Sequence, residues 1–304
     1  MHPDSTFELR IEFSQKQESA VVKDSVKEFL SQAGEPSFVE GYVDGLDLDF
    51  DYGEVERDYY NELGGAVSPL SLYKYDRSRI DEIREALEGC FGNSLRCEVL
   101  ESETSDWMEG WKESFQPFST KKFYVYPPWL NSSESKGLLA IEIEPGMAFG
   151  TGQHATTQLC LSEIETLWDE RSIGSALDVG TGTGILSIAL AKLGCQNIFA
   201  TDIDSDAVIA TKDNAKVNGV EMSVVKDSVP SEGQYDLVIA NILFVVIKTI
   251  LPQLSERMAP GGVLLLSGVL SEEYSELEDL AKSCDLMIKR KQEMDGWISL
   301  SLGK

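Results

Sequence analysis

The 304-residue chain is 42% hydrophobic and sets 52 Asp and Glu against 26 Lys and Arg, a formal charge of −26. Such a composition suits a globular protein long enough for two domains and excludes collagen-like and disordered chains. So acidic a field repels nucleic-acid phosphates and draws basic partners, so no direct nucleic-acid binding is expected.

The five cysteines are scattered without a C-x-x-C pair, against a disulfide framework or a zinc site, so no metal is expected. The only histidines are His2 and His154, which leaves hydrolase triads poorly served. The most apolar run, Leu237 to Ile247, falls short of the ~18 residues a membrane span needs. Met1-His2-Pro3-Asp4 has neither a basic nor an apolar leader, and a cytoplasmic location is expected.

Phe7 to Phe13 alternates like a half-buried strand, and Val21, Val22, Val26, Phe29 and Leu30 then recur at helical spacing until Gly34. Strand-like runs follow at Phe38 to Val43 and Leu70 to Tyr75, then a helix with Ile80, Ile83 and Leu87, and a strand from Leu95 to Leu100. This β-α-β-β-α-β order predicts a small ferredoxin-like α+β domain over residues 1–100. Inside it, residues 40–62 hold nine carboxylates against Arg57 alone, either an electrostatic landing strip or a solubility feature. Trp107, Trp111 and Phe115 then share one face of a helix, read as a linker over residues 101–118.

The second domain, 119–304, opens with strands Lys122 to Tyr126 and Leu138 to Ile143. A Gly-rich loop, Pro145 to His154, leads to a helix with Cys160, Leu161, Ile164, Leu167 and Trp168 on its apolar face. From Ala176 strands and helices alternate: strands 176–179, 197–201, 222–226, 235–240 and 263–267, with helices 185–193, 205–217, one to about Met258, and 271–283. Two terminal strands close the chain as a hairpin at Asp295-Gly296. The pattern predicts an α/β, Rossmann-like, doubly wound and mostly parallel sheet of seven strands with an antiparallel last strand, whose ligands bind at the strands' carboxyl ends.

The chemistry concentrates at Asp178-Val179-Gly180-Thr181-Gly182-Thr183-Gly184, between a strand and a helix, where glycines admit a ligand to the backbone and a helix N-terminus offers unpaired N–H groups. Asp202 ends the next strand, where a carboxylate can accept both hydroxyl hydrogens of a ribose. The spacing G-x-G-x-G departs from the dinucleotide fingerprint G-x-G-x-x-G. With Asp178 before it, the loop suits a cofactor bearing an ammonium and a sulfonium better than one bearing a pyrophosphate.

These residues resemble the class I methyltransferases and, within them, the ribosomal protein L11 methyltransferase family. The resemblance covers essentially the whole chain: Asp106-Trp107 and Trp111, Glu144 to Gly152, His154-Ala155-Thr156-Thr157, Asp202-Ile203-Asp204 and Asn241-Ile242-Leu243. It implies S-adenosylmethionine as cofactor, with Gly180 and Gly182 in its loop and Gly180 against the methionine part. It further implies Asp202 on the ribose, Thr157 as a contact, and Asn241 beside the transferable methyl as the catalytic residue. Thr157 also reads as a helix N-cap, His154 as a base or a loop contact, and Asp227 as an acceptor from the adenine amine or a solvated turn carboxylate.

Amide and nucleobase methylases of similar fold often carry Asn-Pro-Pro-Tyr, whose ring stacks on a planar nitrogen; this chain has Asn241-Ile242-Leu243-Phe244. Lysine and N-terminal amines of ribosomal protein L11, a basic partner, are then the expected substrates, with residues 1–100 recognising them. The alternatives are another protein substrate, a cofactor-binding module without turnover, or a nicotinamide oxidoreductase, against which the glycine spacing speaks.

Overall fold

The computed structural model of the chain describes residues 5–13, 19–32, 39–40, 69–74, 76–103, 116–144 and 152–304. The acidic run from Asp44 to Glu62, Trp107, Trp111 and Phe115, and residues 145–151 lie outside the described residues. The chain divides into two compact units, Met1–Phe115 and Gln116–Lys304.

In the first unit the elements run β1 (Ser5–Phe13), α1 (Ser19–Gln32), β2 (Val39–Glu40), β3 (Leu70–Lys74), α2 (Arg77–Phe91) and β4 (Leu95–Glu103). They form a four-stranded sheet in the order β2-β3-β1-β4, each neighbour antiparallel. Strand alternation places Leu9 and Ile11 on one face. There they meet Leu70, Leu72, Val26, Leu30, Ile80, Ile83 and Leu87 in one core. Asp76 starts α2 by accepting from the Ser78 amide at 2.9 Å.

The second unit opens with a three-stranded sheet of β5 (Phe118–Ser119), β6 (Phe123–Tyr126) and β7 (Leu139–Glu142), in which β6 and β7 are parallel. There follow α3 (Ala155–Glu170), β8 (Ser175–Val179), α4 (Ile185–Leu193), β9 (Asn197–Asp202), α5 (Ser205–Val217), β10 (Ser223–Lys226) and β11 (Tyr235–Asn241). The chain ends with α6 (Phe244–Glu256), β12 (Met258–Leu270), α7 (Tyr274–Ser283), β13 (Met287–Met294) and β14 (Trp297–Gly303). The seven strands lie in the order β10-β9-β8-β11-β12-β14-β13. All run parallel from β10 to β12, and β14 is antiparallel to both its neighbours.

Strand alternation sends Ala176, Leu237, Ile239 and Leu265 to the face that packs α3 and α4, and Leu177, Val238, Ala240, Leu264 and Leu266 to the face that packs α6 and α7. Each fully buried Leu or Ile stabilises the fold by roughly 1.5–3 kcal/mol relative to exposure. The chain leaves β8 toward β9 and β11 toward β12, so a crevice opens between β8 and β11 at their carboxyl ends.

The anticipated seven strands and antiparallel last strand are present, with β12 longer at both ends than expected and the helix after it starting at Tyr274. Helix α6 stops at Glu256, and Met258 already pairs with Tyr235 before the register shifts to Leu237 opposite Val263. Pro260-Gly261-Gly262 breaks the alternation there, which hid the strand's start from the sequence pattern. No helix among the described residues is long and apolar enough to cross a membrane.

Candidate active site

The sheet register assembles the site. Val179 lies opposite Thr201 of β9 and Ala240 of β11, so the next residues, Asp202, Gly180 and Asn241, leave three adjacent strands at one level. Asp202 and Asn241 are thus two strand spacings apart, about 10 Å.

Asp202 is buried, and burial pushes its pKa up. Its Oδ2 accepts from the Gly182 amide at 3.0 Å and its Oδ1 from the Asp204 amide at 2.9 Å. Each carboxylate oxygen keeps further acceptor capacity. Asp178, 1% exposed, lies beneath the glycine loop and accepts from Thr181 Oγ1 at 2.8 Å and Ser187 Oγ at 2.7 Å. Burial again drives its pKa up, opposed by those bonds and by one from the Ser187 backbone.

Four amides of the glycine loop leading into α4 are already used. Gly180 and Thr181 donate to Thr201 O at 2.8 and 3.0 Å, Gly182 to Asp202, and Gly184 to Thr181 O at 2.9 Å. Asp178, bonded to Ser187 in the first turn of α4, also sits at the positive end of that helix. A pyrophosphate needs both the amides and the field. These engaged loop amides add to the glycine spacing against the nicotinamide reading. Gly180 itself has φ +73°, and a Cβ there would run into the Ile242 side chain, so the loop after β8 packs directly on the turn after β11.

Across the crevice, Asn241 Nδ2 points to Thr157 Oγ1 at 3.5 Å, a long bond joining residues 84 positions apart. Asn241 is only 9% exposed, and its buried Oδ1 has no partner among the described residues. Thr157 is fully buried and donates its amide to His154 O at 3.0 Å. His154, not Thr157, is the N-cap of α3. Its Nδ1 accepts from the Thr156 amide at 3.3 Å and lies 2.7 Å from Thr156 Oγ1, so the Thr157 hydroxyl is free of capping duty. The His154 ring meets Trp297 edge-on at 5.0 Å, and burial lowers its pKa to about 4. A base so weak and so engaged suits the loop-contact reading. Asp227 is exposed and accepts from the Ser228 amide at 2.8 Å, a turn carboxylate's role.

Sequence reading passed over four buried polar side chains near these elements. Glu163 of α3, 1% exposed, accepts from Arg290 at 2.6 Å, Gln292 at 2.7 Å and Ser301 at 2.6 Å, tying the helix to the terminal hairpin. Glu165 accepts from Thr120 Oγ1 at 2.5 Å and the Lys122 amide at 2.6 Å, holding the β5–β6 turn. No local signal marks these two. Thr211 and Asn214 are different: they fall on the face of α5 that carries Ala207, Val208 and Ala215, where polar residues stand out from the helical period.

A doubly wound sheet in this order, with a glycine loop closing on a buried carboxylate after the following strand, defines the class I S-adenosylmethionine-dependent methyltransferases. Residues 8–304 match the family described as "Ribosomal protein L11 methyltransferase (PrmA)". The chain belongs to the ribosomal protein L11 methyltransferase family. It is 33% identical to the ribosomal protein L11 methyltransferase of Desulfitobacterium hafniense over 297 residues, 93% of this chain and 94% of that one. With the protein of that name from Geobacter metallireducens it shares 41% identity over 197 residues, 64% of this chain and 65% of the relative's length. A crystal structure of ribosomal protein L11 methylase from Lactobacillus delbrueckii subsp. bulgaricus superposes with TM-score 0.58 and 30% identity, covering 62% of this chain and 99% of the other.

Proposed function

We propose that the enzyme methylates amine nitrogens of ribosomal protein L11, on lysine side chains and the N-terminal amine. The reading rests first on Asn241 Oδ1, a buried acceptor with no partner among the described residues. Leaving such an atom unpaired costs on the order of 1–3 kcal/mol, and an amine N–H arriving in the crevice satisfies it.

The residues present fit the cofactor. Gly180 and Gly182 offer a side-chain-free surface, Asp202 has acceptor capacity left for the ribose hydroxyls, and Asn241, bonded to the buried Thr157, ends β11 across the crevice. S-adenosylmethionine supplies an electrophilic methyl on a sulfonium. The protein's part is then to orient the amine and strip it of water rather than to provide a nucleophile. A free lysine has a pKa of about 10.4, and a poorly solvated crevice favours its neutral, reactive form. His154, its Nδ1 engaged at the start of α3 and its pKa lowered by burial, is poorly suited to take the ammonium proton, which is lost in the desolvated pocket or to water before attack.

Phe244 supports an sp³ nitrogen over a planar one. Its ring is 4% exposed and packs in the core with Ile247 and Leu251, so it offers no stacking surface to an amide or a nucleobase. In the same reading residues 1–100 dock the substrate. The first hundred residues carry 22 carboxylates against 10 cations, a field that speeds encounter with a basic protein and weakens as salt rises.

Mass spectrometry of intact L11 after incubation with enzyme and S-adenosylmethionine tests the substrate. Methyl increments mapping to lysine or the α-amine are expected; an unmodified L11, or methyl on an amide or hydroxyl, overturns the assignment. Deleting residues 1 to about 102 tests the docking role. Methylation of L11 should collapse while methylation of a short lysine peptide persists, and a full rate on L11 would contradict it.

A further inference from the structure

Helix α5 buries Ala207, Val208, Thr211, Asn214 and Ala215, a core-facing stripe at helical spacing that contains two polar residues. Polar groups in such a place need partners, at a cost of roughly 1–3 kcal/mol each if left without. Both find them in the glycine loop. Thr211 Oγ1 donates to Gly182 O at 2.8 Å, and its methyl stands 2.8 Å from where a Gly184 Cβ would lie, at a residue with φ +84°. Asn214, 4% exposed, donates from Nδ2 to Thr183 O at 2.9 Å and accepts at Oδ1 from the Glu144 amide at 3.1 Å.

One side-chain amide therefore joins the glycine loop to Glu144, where the chain has just left β7. Because C=O and N–H of a trans peptide point opposite ways, drawing the Gly182 and Thr183 carbonyls onto α5 turns the next two amides away from it. That of Gly184 reaches Thr181 O. Asn218, one turn further along, offers a built-in comparison. It clamps Glu142 through N–H and C=O at 3.0 and 2.6 Å, yet among the described residues it makes no hydrogen bond to the glycine loop.

We propose that Asn214 is a positioning residue for the cofactor: by holding Thr183 O and the Glu144 amide in one grip, it sets the loop shape that Gly180 and Gly182 present. The inference rests on the methyltransferase assignment, and binding of S-adenosylmethionine by the parent chain controls for that separately.

Calorimetric titration of the full chain with S-adenosylmethionine, beside denaturant unfolding without cofactor, tests it. Asn214→Ala should weaken binding about tenfold, the worth of one to two net hydrogen bonds. Asn214→Asp preserves the volume and the acceptor for Glu144 and, at a pH where the carboxylate is ionised, loses the donor to Thr183, so a folded variant should lose at least as much affinity there. Asn218→Ala should lose stability while keeping its affinity within about twofold, a spread small beside one hydrogen bond. Parent-like affinity in a folded Asn214→Asp would overturn the proposal, as would an Asn218→Ala variant that loses affinity in the same proportion to its stability. A parent chain that fails to bind the cofactor would overturn the methyltransferase reading instead.

Discussion

On the β8–β9 side of the carboxyl edge, the described polar groups are paired within the protein. Asp178 and Asp202 each accept two or more hydrogen bonds, and the amides of Gly180, Thr181, Gly182 and Gly184 are all used. On the β11 side, one long bond links Asn241 to Thr157, and Asn241 Oδ1 has no partner among the described residues. The first side is shaped by hydrogen bonds within the protein, with Asp202 keeping acceptor capacity beyond them. The second holds hydrogen-bonding capacity open for a group that comes and goes. A site that must hold its cofactor in one pose while a macromolecular substrate approaches benefits from that division, since preorganisation lowers the entropy cost of binding on one side only.

Substitutions on the paired side should damage binding and stability, and substitutions on the open side should damage rate. The largest effect is expected for Asp202→Ala. With charge-assisted bonds to the ribose lost, affinity for S-adenosylmethionine should fall well beyond about tenfold, and unchanged affinity in a folded variant would break the comparison. Next comes Gly180→Ala, which forces φ +73° on a residue with a Cβ and pushes on Ile242. A stability loss of roughly 1–3 kcal/mol is expected; a melting temperature and affinity equal to the parent's would show that the two loops do not press on each other.

On the open side, Thr157→Val removes the hydroxyl near Asn241 Nδ2. It should slow turnover about threefold to tenfold, the worth of one hydrogen bond. An equal loss of cofactor affinity would make Thr157 the cofactor contact that the resemblance implies. The smallest effect is a slope. His154 titrates near 4 when folded and about 6.5 when unfolded, so the unfolded chain binds the extra proton between those values. Its contribution to stability is complete above pH 6.5 and is lost as pH falls toward 4. His154→Asn keeps a capping acceptor without the titration, so stability should decline less steeply over that window; identical slopes would contradict a buried neutral imidazole.

Much of the paired side was legible in the sequence, because it is built from neighbours. Strand, glycine loop and helix follow one another from Ala176 to Leu193, and Asp202 closes the next apolar run. The open side joins residues 84 positions apart, and no local period announces that the start of α3 meets the end of β11. The resemblance named both residues without saying that they touch. The cap of α3 was misplaced for a related reason: a threonine is a common N-cap, but the helix begins one turn earlier than Thr157 requires, at a histidine whose ring nitrogen takes that role. Glu163 and Glu165 look like solvent-facing residues on the sequence, and only the terminal hairpin and the β5–β6 turn, folding onto them, bury them.

The division between a binding side and a reacting side is tested most directly at Asn241. Asn241→Ala should be compared with the parent by calorimetric titration with S-adenosylmethionine and by single-turnover methylation of L11 at saturating cofactor. A rate loss beyond about tenfold is expected with affinity held within about threefold, the signature of an interaction that matters only during transfer. Equal losses in affinity and rate would make Asn241 one more binding residue, and the two sides of the edge would then do the same work.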